Sequence, residues 1–246
     1  EFMTFVIVGA SAGLGRALAE KFASEGHDLI IISSELKDLN AIKGDLQNRF
    51  NVKIFPIEMM FQKHSLDFKE FDETIRLAGK ISGVLLPIGH SDPTDNPYVN
   101  ESKIYNIFNV NLVNVCIFIN HCLEILKDTK LTITGFGSIS AIRGRSRNST
   151  YAAAKRGLES YFESLRHAEA ESEITIQFYL LGYLKTNLTF GEQTVGPKPV
   201  EVDKLATEVF DNISKDFGMK FYPRVWIPLM MAFRFMPWEF FRRIKF

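Results

Sequence analysis

The chain alternates short apolar runs with longer stretches in which apolar positions recur every three or four residues. Phe5-Val6-Ile7-Val8 is apolar without a break and stops at Gly9, which reads as a buried strand. Residues 16–25 have helical spacing, and Gly26 supplies the C-terminal stop. Leu29-Ile30-Ile31-Ile32 is the second strand, residues 36–50 a helix, and residues 52–55 begin a third strand. A helix over 68–78 ends at Gly79, and a fourth strand covers 83–86. Helical period runs through 101–127, a fifth strand covers 131–134, a long helix 150–171, and a sixth strand 174–180. Strands alternating with helices at this spacing predict βαβ units and a parallel sheet. Strands apolar on both faces agree, because helices cover both sides of such a sheet. No fixed-period repeat or low-complexity linker divides the chain, so one domain is expected.

Composition narrows the classes. The 246 residues are 46% hydrophobic with zero formal net charge, which excludes disorder and the whole-domain basic field of a nucleic-acid binder. The 22 phenylalanines outnumber the 7 tyrosines and 2 tryptophans; they deepen the core or mark an apolar surface, and composition does not choose. Cys116 and Cys122 fall six residues apart on one expected helix, a rise of about 9 Å, too far for a disulfide. No zinc-ligand spacing occurs and the histidines are scattered, so no metal is expected. Glu1-Phe2 ahead of Met3 reads as an expression remnant. The run that follows is too short for a signal peptide, so a reducing, cytoplasmic compartment is the default.

Candidate chemistry begins at the first strand–helix turn, Gly9-Ala10-Ser11-Ala12-Gly13-Leu14-Gly15. Glycines let backbone N–H groups approach a pyrophosphate, and the following helix N-terminus offsets its charge. The competing reading is a tight turn with no ligand. The second strand ends at Ser33-Ser34, where a carboxylate would bond the ribose hydroxyl of NAD and an arginine the 2′-phosphate of NADP. Two hydroxyls and no close carboxylate tilt the choice toward NADP, with NAD kept open.

Tyr151-Ala152-Ala153-Ala154-Lys155 opens the long helix, and positions i and i+4 share a face. A phenol titrates near pH ~10, and a cation within about 4–6 Å lowers an acid's pKa by roughly 1–3, so Lys155 is expected to bring Tyr151 toward neutrality. Alone, this pair would read as a tyrosine and a lysine on a solvated helix face. Ser138 lies at the end of the fifth strand, thirteen residues earlier, and Asn111 lies mid-helix in Asn109-Val110-Asn111-Leu112.

The glycine loop, Asn111, Ser138 and the Tyr151/Lys155 pair, in this order, resemble the short-chain dehydrogenase/reductase family over roughly residues 4–218. The resemblance implies a single-domain α/β Rossmann fold, a doubly wound parallel sheet of about seven strands with helices on both faces. The domain would cover 3–218, with a lid at 186–200 and an aromatic, basic tail at 219–246. It implies an NAD(P)-dependent oxidoreductase acting on a ketone or secondary alcohol. Tyr151 would pass a proton to the carbonyl oxygen, Ser138 would bond that oxygen, and Asn111 would hold a water linking Lys155 to solvent. Lys155 would bind the nicotinamide ribose. Gly9, Ser11, Gly13, Leu14, Gly15, Ser33, Ser34, Gly89, Gly182, Leu184 and Thr186 would contact the cofactor together with Tyr151 and Lys155, and a homodimer or homotetramer is implied.

Three positions depart from the family pattern. The usual Asn-Asn-Ala-Gly is Leu86-Pro87-Ile88-Gly89, the usual Pro-Gly is Leu181-Gly182, and Glu58 stands near the usual aspartate. The first change supports an alternative reading, a nucleotide-binding scaffold or sensor without turnover. His90 reads as a loop residue without a role. Arg143, Arg145 and Arg147 form either a site for an anionic substrate or a solvated loop. Residues 220–246 hold six cations (Lys220, Arg224, Arg234, Arg242, Arg243 and Lys245) and one anion, Glu239. The segment is therefore +5 and residues 1–219 sum to −5, since the whole chain is neutral. It is too interrupted to span a bilayer, but Trp, Phe and flanking cations suit an interface. Expectation divides between peripheral contact with the inner membrane face through 224–246 and packing against protein or over the substrate. The tail loosely resembles the family branch that reduces a polyprenyl-phosphate-linked keto-pentose, which implies an apolar or lipid-linked keto substrate.

Overall fold

The computed structural model describes residues 3–186 and 197–244. Seven strands form one sheet: β1 (Thr4–Val8), β2 (Asp28–Ser33), β3 (Ile54–Glu58), β4 (Ile81–Leu86), β5 (Leu131–Ser138), β6 (Ile174–Leu181) and β7 (Met219–Tyr222). Their order is β3-β2-β1-β4-β5-β6-β7, and every pairing is parallel. The doubly wound α/β sheet follows the sequence expectation. β7 belongs to the stretch read from sequence as tail and adds the outermost strand.

Both faces of the sheet are covered, and the strands show it residue by residue. Phe5, Ile7, Leu29 and Ile31 face one apolar cluster, while Val6, Val8, Ile30 and Ile32 face another. The period of two sends alternate side chains to opposite faces, so an unbroken apolar run needs helices on both sides. Helix α1 (Gly13–Ser24) and α2 (Leu36–Phe50) supply the first cluster with Leu18, Phe22, Leu39 and Leu46. The second cluster takes Phe71 from α3 (Lys69–Ala78), Phe118 from α5 (Asn114–Leu126) and Phe162 from α6 (Ser149–Ala168). Much of the phenylalanine excess is therefore core, each buried ring contributing about 1.5–3 kcal/mol. Glycines in the strands make room: a Cβ at Gly135 would sit 2.3 Å from the Phe162 ring, and one at Gly83 2.7 Å from Phe5.

The helical period expected over 101–127 is not one helix. α4 (Glu101–Phe108) runs into a π-helical turn, Asn109–Val113, before α5 begins. The wider turn rotates three asparagines inward. Asn109 and Asn114 donate to backbone carbonyls of the segment after β3, and Asn111 to that after β4. Glu101–Leu126 is apolar and long enough to cross a membrane by composition alone, yet half its apolar window is buried, as in a core helix. Cys116 and Cys122 both lie on α5 as unpaired thiols, in accord with the spacing.

Beyond β7 the chain folds back on the domain as α7 (Val202–Asn212) does before it, through two further helices, α8 (Trp226–Phe235) and α9 (Trp238–Phe241).

Candidate active site

Strand order reverses between β1 and β4, and the loops leaving the C-terminal ends of neighbouring strands part there. Such a switch point is where open α/β sheets bind ligands. A cavity of about 650 Å³ opens at this place.

The glycine loop forms one wall: Gly9, Ser11, Gly13 and Leu14 line the cavity. Gly9 has φ +90°, and a Cβ there would meet Ile88 Cα at 2.8 Å. Gly15 lies beneath, where a Cβ would stand 1.9 Å from the Gly9 carbonyl oxygen. Only glycine permits this approach of α1 to the loop, so the backbone N–H groups at the helix N-terminus face the cavity. Thr186 closes the far side of the loop, with its Cγ2 3.3 Å from where a Cβ on Gly13 would be. Gly182, Leu184 and Thr186 all line the cavity, as do Ser33 and Ser34 at the end of β2. The cradle fits a dinucleotide: small residues under a helix N-terminus, and no Asp or Glu among the described lining residues to repel phosphates. Glu58 does not line it; its carboxylate accepts from the Leu36 N–H at the start of α2 (3.3 Å). Of the expected lid, residues 187–196 lie outside the described residues, while Leu184 bridges Val200.

Ser138, Tyr151 and Lys155 line the inner end of the same cavity. Ser138 ends β5 and its hydroxyl accepts from the Ser140 N–H (3.2 Å) and pairs with the Ser140 hydroxyl (2.9 Å). The Ser138 hydroxyl also bonds the Tyr151 phenol, which favours the phenolate, but burial outweighs it and pushes the phenol up to about 12. The expectation that Lys155 would bring this phenol toward neutrality is not met. The Lys155 ammonium stands 5.9 Å from the Tyr151 ring centroid and donates instead to the Ile88 and Phe136 carbonyls, both at 3.2 Å.

Lys155 is 4% exposed, and burial pushes its ammonium down to about 8. An unfolded lysine holds its proton to pH ~10.4. Between the two values the unfolded chain carries the extra proton, so this group adds stability as pH rises from about 8 to about 10. Below pH ~8 its desolvation cost is fully present. The unfolding free energy of the protein relative to a Lys155→Met variant should therefore rise by about 3 kcal/mol across that window. Urea titrations of both proteins at several pH values read this directly, and a flat difference would mean that the ammonium is not desolvated.

Asn111 is fully buried in the π-helical turn. Its Oδ1 accepts from the His90 N–H (3.1 Å), and its Nδ2 donates to the His90 and Ile107 carbonyls (2.7 and 2.8 Å). It lies behind the lining and fixes the loop after β4. A Cβ on Gly89 would be 3.4 Å from Asn111 Oδ1 and 3.5 Å from Lys155 Nζ, so both groups flank the same glycine. His90, read from sequence as a bystander, lines the cavity.

Sequence reading missed Asp95. It is 3% exposed, and its carboxylate accepts from the Thr150 and Tyr151 N–H groups (3.0 and 2.8 Å) at the N-terminus of α6. An anion across the first turn satisfies orphan donors and offsets the helix dipole. It also fixes the turn that carries Tyr151. The 55-residue gap between Asp95 and Thr150 hid this cap.

The three arginines separate. Arg145 lines the cavity and Arg147 is exposed. Arg143 does neither: its guanidinium donates to the Phe233 and Met236 carbonyls and covers the Phe241 ring at 3.9 Å. Trp226 is 2% exposed and fills the space over Gly182, where a Cβ would sit 2.0 Å from its Nε1; it also meets the Tyr183 ring. The tail thus packs beside the cavity through Gly182 and Tyr183, two lining residues.

The sequence profile of the family described as short chain dehydrogenase matches residues 3–194. A 3-oxoacyl-acyl-carrier-protein reductase of Aquifex aeolicus is 24% identical over 188 residues, 75% of each chain. Among solved structures, a short-chain dehydrogenase from Sphingobium yanoikuyae in complex with NADPH superposes with TM-score 0.81 at 20% identity, covering 99% of this chain and 97% of that one. A short chain dehydrogenase/reductase from Burkholderia phymatum in complex with NAD gives 0.81 at 16%, covering 94% and 92%.

Proposed function

The chain belongs to the short chain dehydrogenase family, and on that premise we propose that it transfers a hydride between a nicotinamide cofactor and a ketone or secondary alcohol, with Ser138, Tyr151, Lys155 and Asn111 as the working residues. The observation that carries this reading is the convergence of the Ser138–Tyr151 hydroxyl pair and a buried Lys155 ammonium at the inner end of the glycine-loop cavity.

When bound, the nicotinamide carries the hydride. The chain supplies the rest. A phenol pushed up to about 12 is protonated at neutral pH, so Tyr151 stands as proton donor to a carbonyl oxygen in the reducing direction. Ser138 bonds that oxygen and orients it against the phenol. Lys155, held by two carbonyls on the cavity floor, offers its ammonium to the ribose hydroxyls, and Asn111, with both amide hydrogens given to the His90 and Ile107 carbonyls, positions the segment after β4 beside it rather than donating to the expected water. Ile139, Leu181 and Leu184 in the lining exclude water and suit an apolar or lipid-linked substrate.

NADP is the preferred cofactor in this reading. The cavity at the end of β2 presents Ser33, Ser34 and Gln62 rather than a carboxylate that would reject a 2′-phosphate. A scaffold without turnover gains nothing from the altered 86–89 segment, since the Ile88 carbonyl within it still accepts from Lys155. Assembly into a homodimer or homotetramer belongs to the same reading. Ile104, Tyr105, Val113, Ile117 and Ile125 leave an exposed apolar stripe along α4, the π-helical turn and α5.

Titrating the protein with NADPH and with NADH, followed by nicotinamide fluorescence, tests the cofactor site. Saturation is expected with both, tighter for NADPH. Tighter NADH binding reverses the coenzyme preference, and no saturation with either rejects the proposed function.

A further inference from the structure

Helix α8, Trp-Ile-Pro-Leu-Met-Met-Ala-Phe-Arg-Phe, has one charged residue in ten. A surface helix of a soluble domain is apolar on one stripe and polar on the other. Here the stripe facing the domain carries Trp226 and Met230, both buried, with Leu229 and Phe233 partly so. Steps of one hundred degrees per residue place Ile227, Met231 and Phe235 together on the opposite side. All three are exposed, Phe235 to 72%. α9 repeats the arrangement: Phe241 is buried under Arg143, while Trp238 and Phe240 are 60% and 62% exposed. The outward face is fixed, not a frayed end. Arg143 caps the last carbonyls of α8 from the loop after β5, and Trp226 is locked over Gly182.

Arginines border this face. Arg224, Arg234, Arg242 and Arg243 are exposed, and Glu239 is the single anion from Lys220 onward. The segment is +5 against −5 for residues 1–219. Two copies meeting face to face through this surface would bring like charges together, which opposes a symmetric pairing. A bilayer with anionic headgroups meets both halves of the pattern: aromatic rings enter the headgroup–acyl boundary and the arginines pair with phosphates.

We propose that α8 and α9 form an interfacial membrane-docking surface for anionic lipid, with Ile227, Met231, Phe235, Trp238 and Phe240 inserted and the four arginines on headgroups. The surface lies beside the cavity, because Trp226 on its inner side packs on the lining residues Gly182 and Tyr183. This inference stands apart from the catalytic reading, since it uses none of the residues assigned to proton transfer.

The test is co-sedimentation of the full chain with vesicles of phosphatidylcholine alone and of phosphatidylcholine mixed with phosphatidylglycerol. Binding is expected to the anionic vesicles only, and to weaken between about 0.1 M and 1 M salt as the Debye length shortens. A Met231→Ser, Phe235→Ser, Trp238→Ser triple variant should lose at least about tenfold in partitioning while keeping NADPH affinity. Tryptophan emission should shift to the blue on binding in the wild type and not in Trp238→Phe. Absence of binding to both vesicles overturns the proposal. So does a fall in oligomeric mass of the triple variant without lipid, which would assign the face to a second copy. Loss of NADPH binding with vesicle binding retained would reject the catalytic reading alone.

Discussion

Tyr151→Phe is expected to lower turnover by about 10²–10⁴-fold, the usual worth of a positioned general acid. Burial holds the phenol protonated, and the hydrogen bond from the Ser138 hydroxyl only partly offsets it. The substitution removes one oxygen and keeps the ring, so the cavity wall stands and NADPH affinity should stay within about threefold, less than 1 kcal/mol. Coenzyme oxidation with a panel of aliphatic and aryl ketones reads the rate, and a fluorescence titration reads the affinity. A rate within tenfold of wild type would remove Tyr151 from the mechanism. Weakened affinity with an unchanged rate at saturation would make it a binding residue. The cause of the poor acidity differs from what the Tyr151/Lys155 spacing suggests: the cation is near, but its ammonium is turned to the Ile88 and Phe136 carbonyls. A bound coenzyme that draws Lys155 away from those carbonyls would reset this balance.

Gly15→Ala should abolish coenzyme binding at accessible concentrations, a loss of about 100-fold or more, because a misplacement near 1 Å in a positioning loop costs that much. The new methyl would lie 1.9 Å from the Gly9 oxygen, 2.7 Å from its carbonyl carbon and 3.0 Å from Ala10 Cα. All three are backbone atoms, so no side chain can rotate away and the loop itself must move. Overpacking of this kind costs about 1–3 kcal/mol, which lowers the melting temperature by roughly 2–12 °C in a chain of this size. Thermal unfolding with and without NADPH separates the two effects: the wild type gains stability from the coenzyme and the variant gains none. Gly44→Ala is the control, since nothing lies within 4 Å of its would-be Cβ on the exposed face of α2. That variant should be neutral or slightly stabilised, by about 0.5–1 kcal/mol. An undiminished NADPH shift in Gly15→Ala would show that the glycine loop does not set the cofactor site.

Much of this site is legible along the chain because its parts are local. A glycine loop between a strand and a helix, or a tyrosine and lysine one turn apart, needs only near neighbours to be recognised. Other parts have no local signature. The Lys155 partners are backbone carbonyls, which every residue carries. Asp95 caps α6 from 55 residues away, in a loop whose composition suggests only turns. Asn109 and Asn111 in the π-helical turn and Asn114 just after it fit a continuous helical period, and only the extra residue per turn aims them at the segments after β3 and β4.

The tail divides in the same way. Its apolar and basic content is plain in the sequence, and so is the conflict between packing and membrane contact. The fold assigns one stripe to packing, through Trp226, Met230 and Phe241, and leaves the other outward. Arg143, which the chain offers as a substrate ligand, is committed to that packing, and Arg145 two residues on takes the place at the cavity.

The sequence by itself determined the strand–helix alternation, the parallel sheet with both faces covered, the glycine loop and the Ser138, Tyr151 and Lys155 set. Periodicity, backbone permissiveness and i,i+4 spacing are properties of neighbouring residues. The tertiary structure alone decided which groups are desolvated, which cation meets which oxygen and which face of an all-apolar helix remains outward. Those depend on distances between segments far apart in the chain, and burial and electrostatics act through space, not along the sequence.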